Sequence, residues 1–185
     1  MKYGNLTLGQ IEALANKLGG MGVVMSVLRG TSRVIVTTVS YIVSTFIVAV
    51  DETKTVEELV TEGVYDAVEA GVTSENFPRP LFGMKVKKDV ILFNFGKRIN
   101  SEQVIAEMSK EGCRPANTHE LLALGIAQPE LGKEFPVISI GSVCCLDGHR
   151  YAVRICGGPE VRHIGMSCVD TEGDWLDICQ FAGVR

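Results

Sequence analysis

Residues 137–156 read VISIGSVCCL-DG-HRYAVRIC, two apolar runs rich in β-branched residues, Val137 to Leu146 and His149 to Cys156, joined by Asp147-Gly148. Asp-Gly suits the two-residue turn whose twist matches that of its flanking strands, so the stretch predicts a β-hairpin. Its register follows: Leu146 faces His149, Cys145 faces Arg150 and Cys144 faces Tyr151. Side chains alternate along a strand, which sends Cys144 and Cys145 to opposite sides of the sheet. Gly157-Gly158-Pro159 breaks the chain, and Val161 to Val169 and Trp175 to Ala182 then flank Thr171-Glu172-Gly173-Asp174. Read as a second hairpin, this completes a C-terminal antiparallel β-meander.

Upstream the pattern is helical at first. Thr7-Leu8-Gly9-Gln10 fits a capping box, and Leu8, Ile11, Leu14, Ala15 and Leu18 form a stripe at helical spacing that Gly19-Gly20 ends. Met21 to Leu28 forms a second helix closed by Gly30. Val34 to Val50 is uncharged throughout, but it is short for a membrane span and carries Thr37, Thr38, Ser40, Ser44 and Thr45. Two strands joined through 40–44 are expected there. Thr55-Val56-Glu57-Glu58 is a second capping box, and Gly63 and Gly71 bracket a further short helix around Tyr65 to Ala70. A strand over Met84 to Phe95, a helix capped by Asn100 or Ser101 and a helix over Thr118 to Gly125 lead into the meander. The fold class is therefore α+β: an N-terminal helical pair, a mixed middle segment and the meander. The rigid connector Phe77-Pro78-Arg79-Pro80 suggests parts 1–78 and 79–185, with one compact unit as the alternative.

With 185 residues, 46% hydrophobic and 22% charged, the chain has globular proportions, which excludes a disordered one. A formal charge of −4 gives no overall attraction to nucleic acid or anionic lipid. Charge comes in blocks, acidic over 51–75 and basic over 79–98, which are expected to pair with each other across a helix–sheet contact. No secretory leader pattern opens the chain, so a cytoplasmic location is expected. All six cysteines lie at or beyond Cys113, a placement unlike an exported disulfide framework.

Candidate chemistry is sparse. No paired C-x2-C spacing marks a zinc site. The surviving metal-ligand candidates are Cys144 and His149 on one face, with Cys168 or His163 from the following hairpin. Cys113 beside Arg114, with His119 close in sequence, is the candidate activated thiol. Gly141-Ser142 lacks a nucleophile elbow around it. Leu18-Gly19-Gly20-Met21-Gly22 follows a helix, whereas a nucleotide loop follows a strand. Asp170, Glu172, Asp174 and Asp177 cluster without the spacing of a calcium loop. Met21 to Leu28 carries neither cation nor amide with which a recognition helix reads bases. Trp175 reads as a core anchor.

Several motifs nevertheless form a recognisable set: Leu6-Thr7-Leu8-Gly9-Gln10-Ile11-Glu12-Ala13 with Lys17-Leu18-Gly19-Gly20; Arg114-Pro115-Ala116; His119 to Gly125; Phe135-Pro136-Val137-Ile138 with Gly141-Ser142; and a tryptophan followed by Phe181 to Arg185. This set resembles a group of uncharacterised bacterial proteins, from which this chain departs in carrying Cys144-Cys145 where an aromatic is common. The resemblance implies no activity and transfers no functional residue. The expectation is a non-catalytic binding or assembly module without a cofactor, partnered by protein or by itself. The alternatives are a thiol- or zinc-dependent enzyme or metal protein using Cys144, His149, His163 and Cys168, and a small helix-turn-helix-like DNA-binding regulator.

Overall fold

The computed structural model describes residues 7–32, 40–170 and 175–185. The chain divides into two compact units, Met1–Ser40 and Tyr41–Arg185. The connector Phe77-Pro78-Arg79-Pro80 lies inside the second.

In the first unit, helix α1 (Leu8–Lys17) starts at the expected capping box, with the Thr7 hydroxyl accepting from the Gln10 N–H and the Gln10 side chain accepting from the Thr7 N–H. Gly19 and Gly20 take φ of +98° and +91°, which costs a glycine little, and helix α2 (Met21–Leu28) leaves at 86° to α1. No single described helix is long and apolar enough to cross a membrane.

The second unit is built on an eight-stranded mixed sheet. Its strands are β1 (Ile42–Asp51), β2 (Ala67–Val68), β3 (Lys85–Asn94), β4 (Arg114–Pro115), β5 (Val137–Leu146), β6 (His149–Gly158), β7 (Val161–Cys168) and β8 (Gln180–Val184). They run in the order β1-β3-β8-β5-β6-β7-β2, with β4 paired to β8 beside that path. Helices α3 (Val56–Gly63), α4 (Ser101–Lys110) and α5 (Thr118–Ala127) complete the unit. Two cores result. One joins Val56 and Leu59 of α3 and Leu121, Leu122 and Leu124 of α5 to Val48, Val90, Val153 and Ile155 of the sheet. The other joins Val104 and Met108 of α4 to Ile91, Phe93, Ile138 and Phe181.

The α+β class and the meander of β5, β6 and β7 agree with the sequence reading, and the Asp147-Gly148 register is the expected one, with φ of +51° and +80°. Three details differ. The second hairpin turns at Pro159-Glu160, whereas Trp175 only bridges Ile99 and β8 inserts between β3 and β5, antiparallel to the first and parallel to the second. Burial drives this: a strand reading FAGV gains apolar neighbours on both faces only inside the sheet. Residues 42–51 form one strand, with a register irregularity between Ile42 and Ser44 in place of a turn; 33–39 lie outside the described residues, as do 171–174. The segment expected as a helix around Tyr65 to Ala70 contains β2, parallel to β7, because Gly63 ends α3 and Arg162 and Ile164 supply backbone partners to Asp66 and Glu69. The charge blocks do meet, strand to strand and turn to strand: Lys85 with Asp51 at 3.0 Å and Lys88 with Glu52 at 2.5 Å.

Strand β5 is strongly bulged. Ser139 pairs with Val153 and Cys144 with Tyr151, so 140–143 stand opposite Ala152 alone. The bulge lets Gly141 donate to the Ala116 carbonyl at 2.9 Å while Ala116 donates to Ala182 at 2.8 Å. A Cβ on Gly141 would sit 2.5 Å from the Ala116 oxygen and 2.6 Å from that of Pro115, both backbone atoms. Gly141→Ala is therefore expected to cost about 1–3 kcal/mol in chemical denaturation; unchanged stability would mean that β4 does not pack so closely.

Candidate functional site

The densest polar arrangement lies at the start of α5. Asn117 caps the helix through the Glu120 N–H, and the Glu120 carboxylate returns the bond to the Asn117 N–H at 2.8 Å. Glu120 is fully buried, yet its oxygens are saturated: Arg114 donates through both terminal nitrogens at 2.9 and 2.6 Å, and Lys88 donates at 2.7 Å while also holding Glu52. Burial pushes the Glu120 pKa up, but the bonds from Arg114, Lys88 and the Asn117 N–H outweigh it, leaving the carboxyl below its usual range. Lys88 shows the same balance in the opposite sense: burial lowers its pKa, and Glu120 and Glu52 raise it further. Each charge is thus held in its charged form by a neighbour, an arrangement for building structure.

Beside this cluster, His119 is buried, and its Nε2 stands 3.1 Å from the Lys54 carbonyl. A carbonyl only accepts, so Nε2 carries the proton. Burial keeps this imidazole below its usual pKa, only partly offset by the Lys54 contact. Cys113 is buried with its thiol 3.6 Å from the Glu111 carbonyl. The proposed trio of Cys113, Arg114 and His119 is therefore dispersed, with Arg114 turned to Glu120 and His119 to Lys54. Ser142 accepts from the Thr118 N–H at 3.2 Å, which ties the β5 bulge to α5. An open groove of about 770 Å³ passes Lys87, Lys88, Arg114 and Arg185, but Lys88 and Arg114 are already paired with Glu52 and Glu120.

The four metal-ligand candidates separate into three places. Cys144 is buried in the α3/α5 core, where burial pushes its thiol pKa up. It faces Tyr151, which in turn faces Cys168, so two strand spacings, roughly 9.5 Å, divide the two thiols. His163 faces Cys156, its Nδ1 3.5 Å from the sulfur. His149 and Cys168 do come together, and the third member is Asp170: one ligand atom of each lies within 4.8 Å of the others. Asp170 was legible in the sequence only as part of an acidic cluster, whose Glu172 and Asp174 lie outside the described residues. Trp175 is a core contact as expected, edge-on to Phe181 at 5.6 Å with its Nε1 donating to Ser101 at 2.9 Å.

No protein-family model, no curated protein and no solved structure matches this chain.

Proposed function

We propose that the protein is a non-catalytic binding and assembly module that pairs with a second copy of itself along strand β1. The observation that carries this reading is a run of exposed apolar side chains, Val43 and Ile47, on the outermost strand of the sheet. β1 is terminal in the strand order, and no strand among the described residues covers its outer side. From Ile42 to Val50 it contains no charged residue and no proline, the devices that normally keep free edges apart. Val43 and Ile47 are exposed along it, Ile47 to 75%. An uncharged strand can pair antiparallel with its own copy without placing like charges opposite each other, and a two-fold axis closes such a contact.

Sedimentation across a concentration series is expected to show a monomer–dimer equilibrium, with amide exchange in β1 slowing as concentration rises. The double variant Thr45→Lys/Ile47→Lys, both exposed positions, is expected to weaken dimerisation at least about tenfold by setting like charges across the new pair. A monomer at every concentration overturns the reading. So does β1 protection that is independent of concentration, which would mean that the chain covers its own edge.

A further inference from the structure

We propose that His149, Cys168 and Asp170 bind one borderline divalent transition-metal ion, Zn2+ by its donor set, at the rim of the β6–β7 pair. This site lies strands away from β1 and stands independently of the assembly reading.

The pleat builds the site. Tyr151 faces Cys168, and the ladder continues past the end of β7 with the Val169 N–H donating to the Arg150 carbonyl at 2.8 Å. That register sets His149 directly across from Asp170. Cys168 and Asp170 are two residues apart on one chain and so share a face, which places Cys168 on the diagonal from His149. The three ligand atoms already lie within 4.8 Å of one another. A tetrahedral ion with Zn–N, Zn–O and Zn–S bonds of about 2.0–2.3 Å needs ligands roughly 3.5 Å apart, so the side chains close by about an ångström on binding. The surroundings suit this: His149 is exposed and Cys168 half-buried, so these two side chains can close on the Asp170 carboxylate.

The donors are one imidazole, one thiolate and one carboxylate, a set that selects a borderline metal over calcium or magnesium. Three protein ligands leave one tetrahedral position for water or an exogenous donor. Arg150 acts as a positioning residue. Its Nε donates to Asp170 Oδ1 at 2.5 Å and its backbone N–H donates to Oδ2, which fixes the carboxylate plane and leaves a lone pair on each oxygen for the ion.

Titrating the full-length, reduced chain with Co2+ tests this. One equivalent is expected to produce intense tetrahedral visible absorption and a thiolate-to-cobalt charge-transfer band, both displaced by Zn2+. Cys168→Ser is expected to remove the charge-transfer band and to weaken Zn2+ binding at least about 100-fold, with His149→Gln and Asp170→Asn each costing about tenfold or more. Cys145→Ser and Cys156→Ser are expected to leave both signals intact. In the unaltered chain, the ring resonances of His149 are expected to shift on Zn2+ addition while those of His119 and His163 stay. The proposal is overturned by unsaturable or absent Co2+ binding, by a charge-transfer band that survives Cys168→Ser, or by a shift at His163 instead of His149.

Discussion

Glu120→Ala is expected to destabilise the protein by about 3 kcal/mol, the lower end of the cost of breaking a buried ion pair. Glu120 is fully buried, and its removal strands Lys88, whose side chain is only 18% exposed, on Glu52 alone. Arg114 is half-exposed and regains water, which keeps the loss from rising further. The same substitution frees the Asn117 N–H and removes half of the capping box that starts α5. Urea unfolding of Glu120→Ala beside the triple variant Glu52→Gln/Lys88→Met/Glu120→Leu checks the attribution: the triple variant, which removes the stranded cation together with both its partners, is expected to be more stable than the single one. Equal losses would place the cost in packing instead of charge.

The pH dependence follows from the same groups. Glu120 has a depressed folded-state pKa, so its stabilisation is complete above its unfolded pKa near 4.5 and is lost as pH falls through the lower folded value. Glu57, pushed down to about 2 by hydrogen bonds from the Ser74 side chain and N–H, behaves alike. His119 is held neutral by burial, and unfolding lets it protonate, so its contribution begins to fade below about pH 6.5. Midpoints of unfolding are therefore expected to fall monotonically from pH 7 to pH 4, with His119→Gln flattening the upper half of that decline. A midpoint that rises on acidification would contradict the assigned charge states.

Phe181→Ala is expected to cost about 3–5 kcal/mol, the largest effect of any single substitution considered. Phe181 is fully buried on β8, where it faces Phe93 of β3 and Ile138 of β5, with Phe95 at 6.0 Å and Trp175 edge-on at 5.6 Å. Removing the ring opens a cavity at the seam where β8 joins two parts of the sheet otherwise linked only by helices and loops. Thermal or urea unfolding measures the loss. A cost below about 1 kcal/mol would mean that β8 is not inserted there, since an edge strand collapses around such a gap.

Local chemistry made much of the architecture legible. The capping boxes at Thr7 and Thr55 appear where threonine stands three residues before glutamine or glutamate, because a hydroxyl and a carboxyl-type side chain satisfy backbone groups within one turn. Asp147-Gly148 set the β5–β6 register to the residue, since a two-residue turn leaves no slack. The separation of Cys144 from Cys145 followed directly from that register.

What the chain alone determined was therefore short-range: helix starts, one turn, one register and the alternation of faces. The tertiary structure decided the rest. β8 pairs with strands distant in sequence because only burial on both faces rewards it, and no local residue encodes that choice. The meeting of His149 with Asp170 depends on a turn at Pro159-Glu160, which the proline and its two preceding glycines mark only as a break. Glu120, which drew no separate reading within the helix expected over Thr118 to Gly125, becomes the centre of a charge cluster because the sheet brings Lys88 to it across 32 residues. Side-chain chemistry reaches a few residues along the chain, whereas burial acts on whatever the fold brings together.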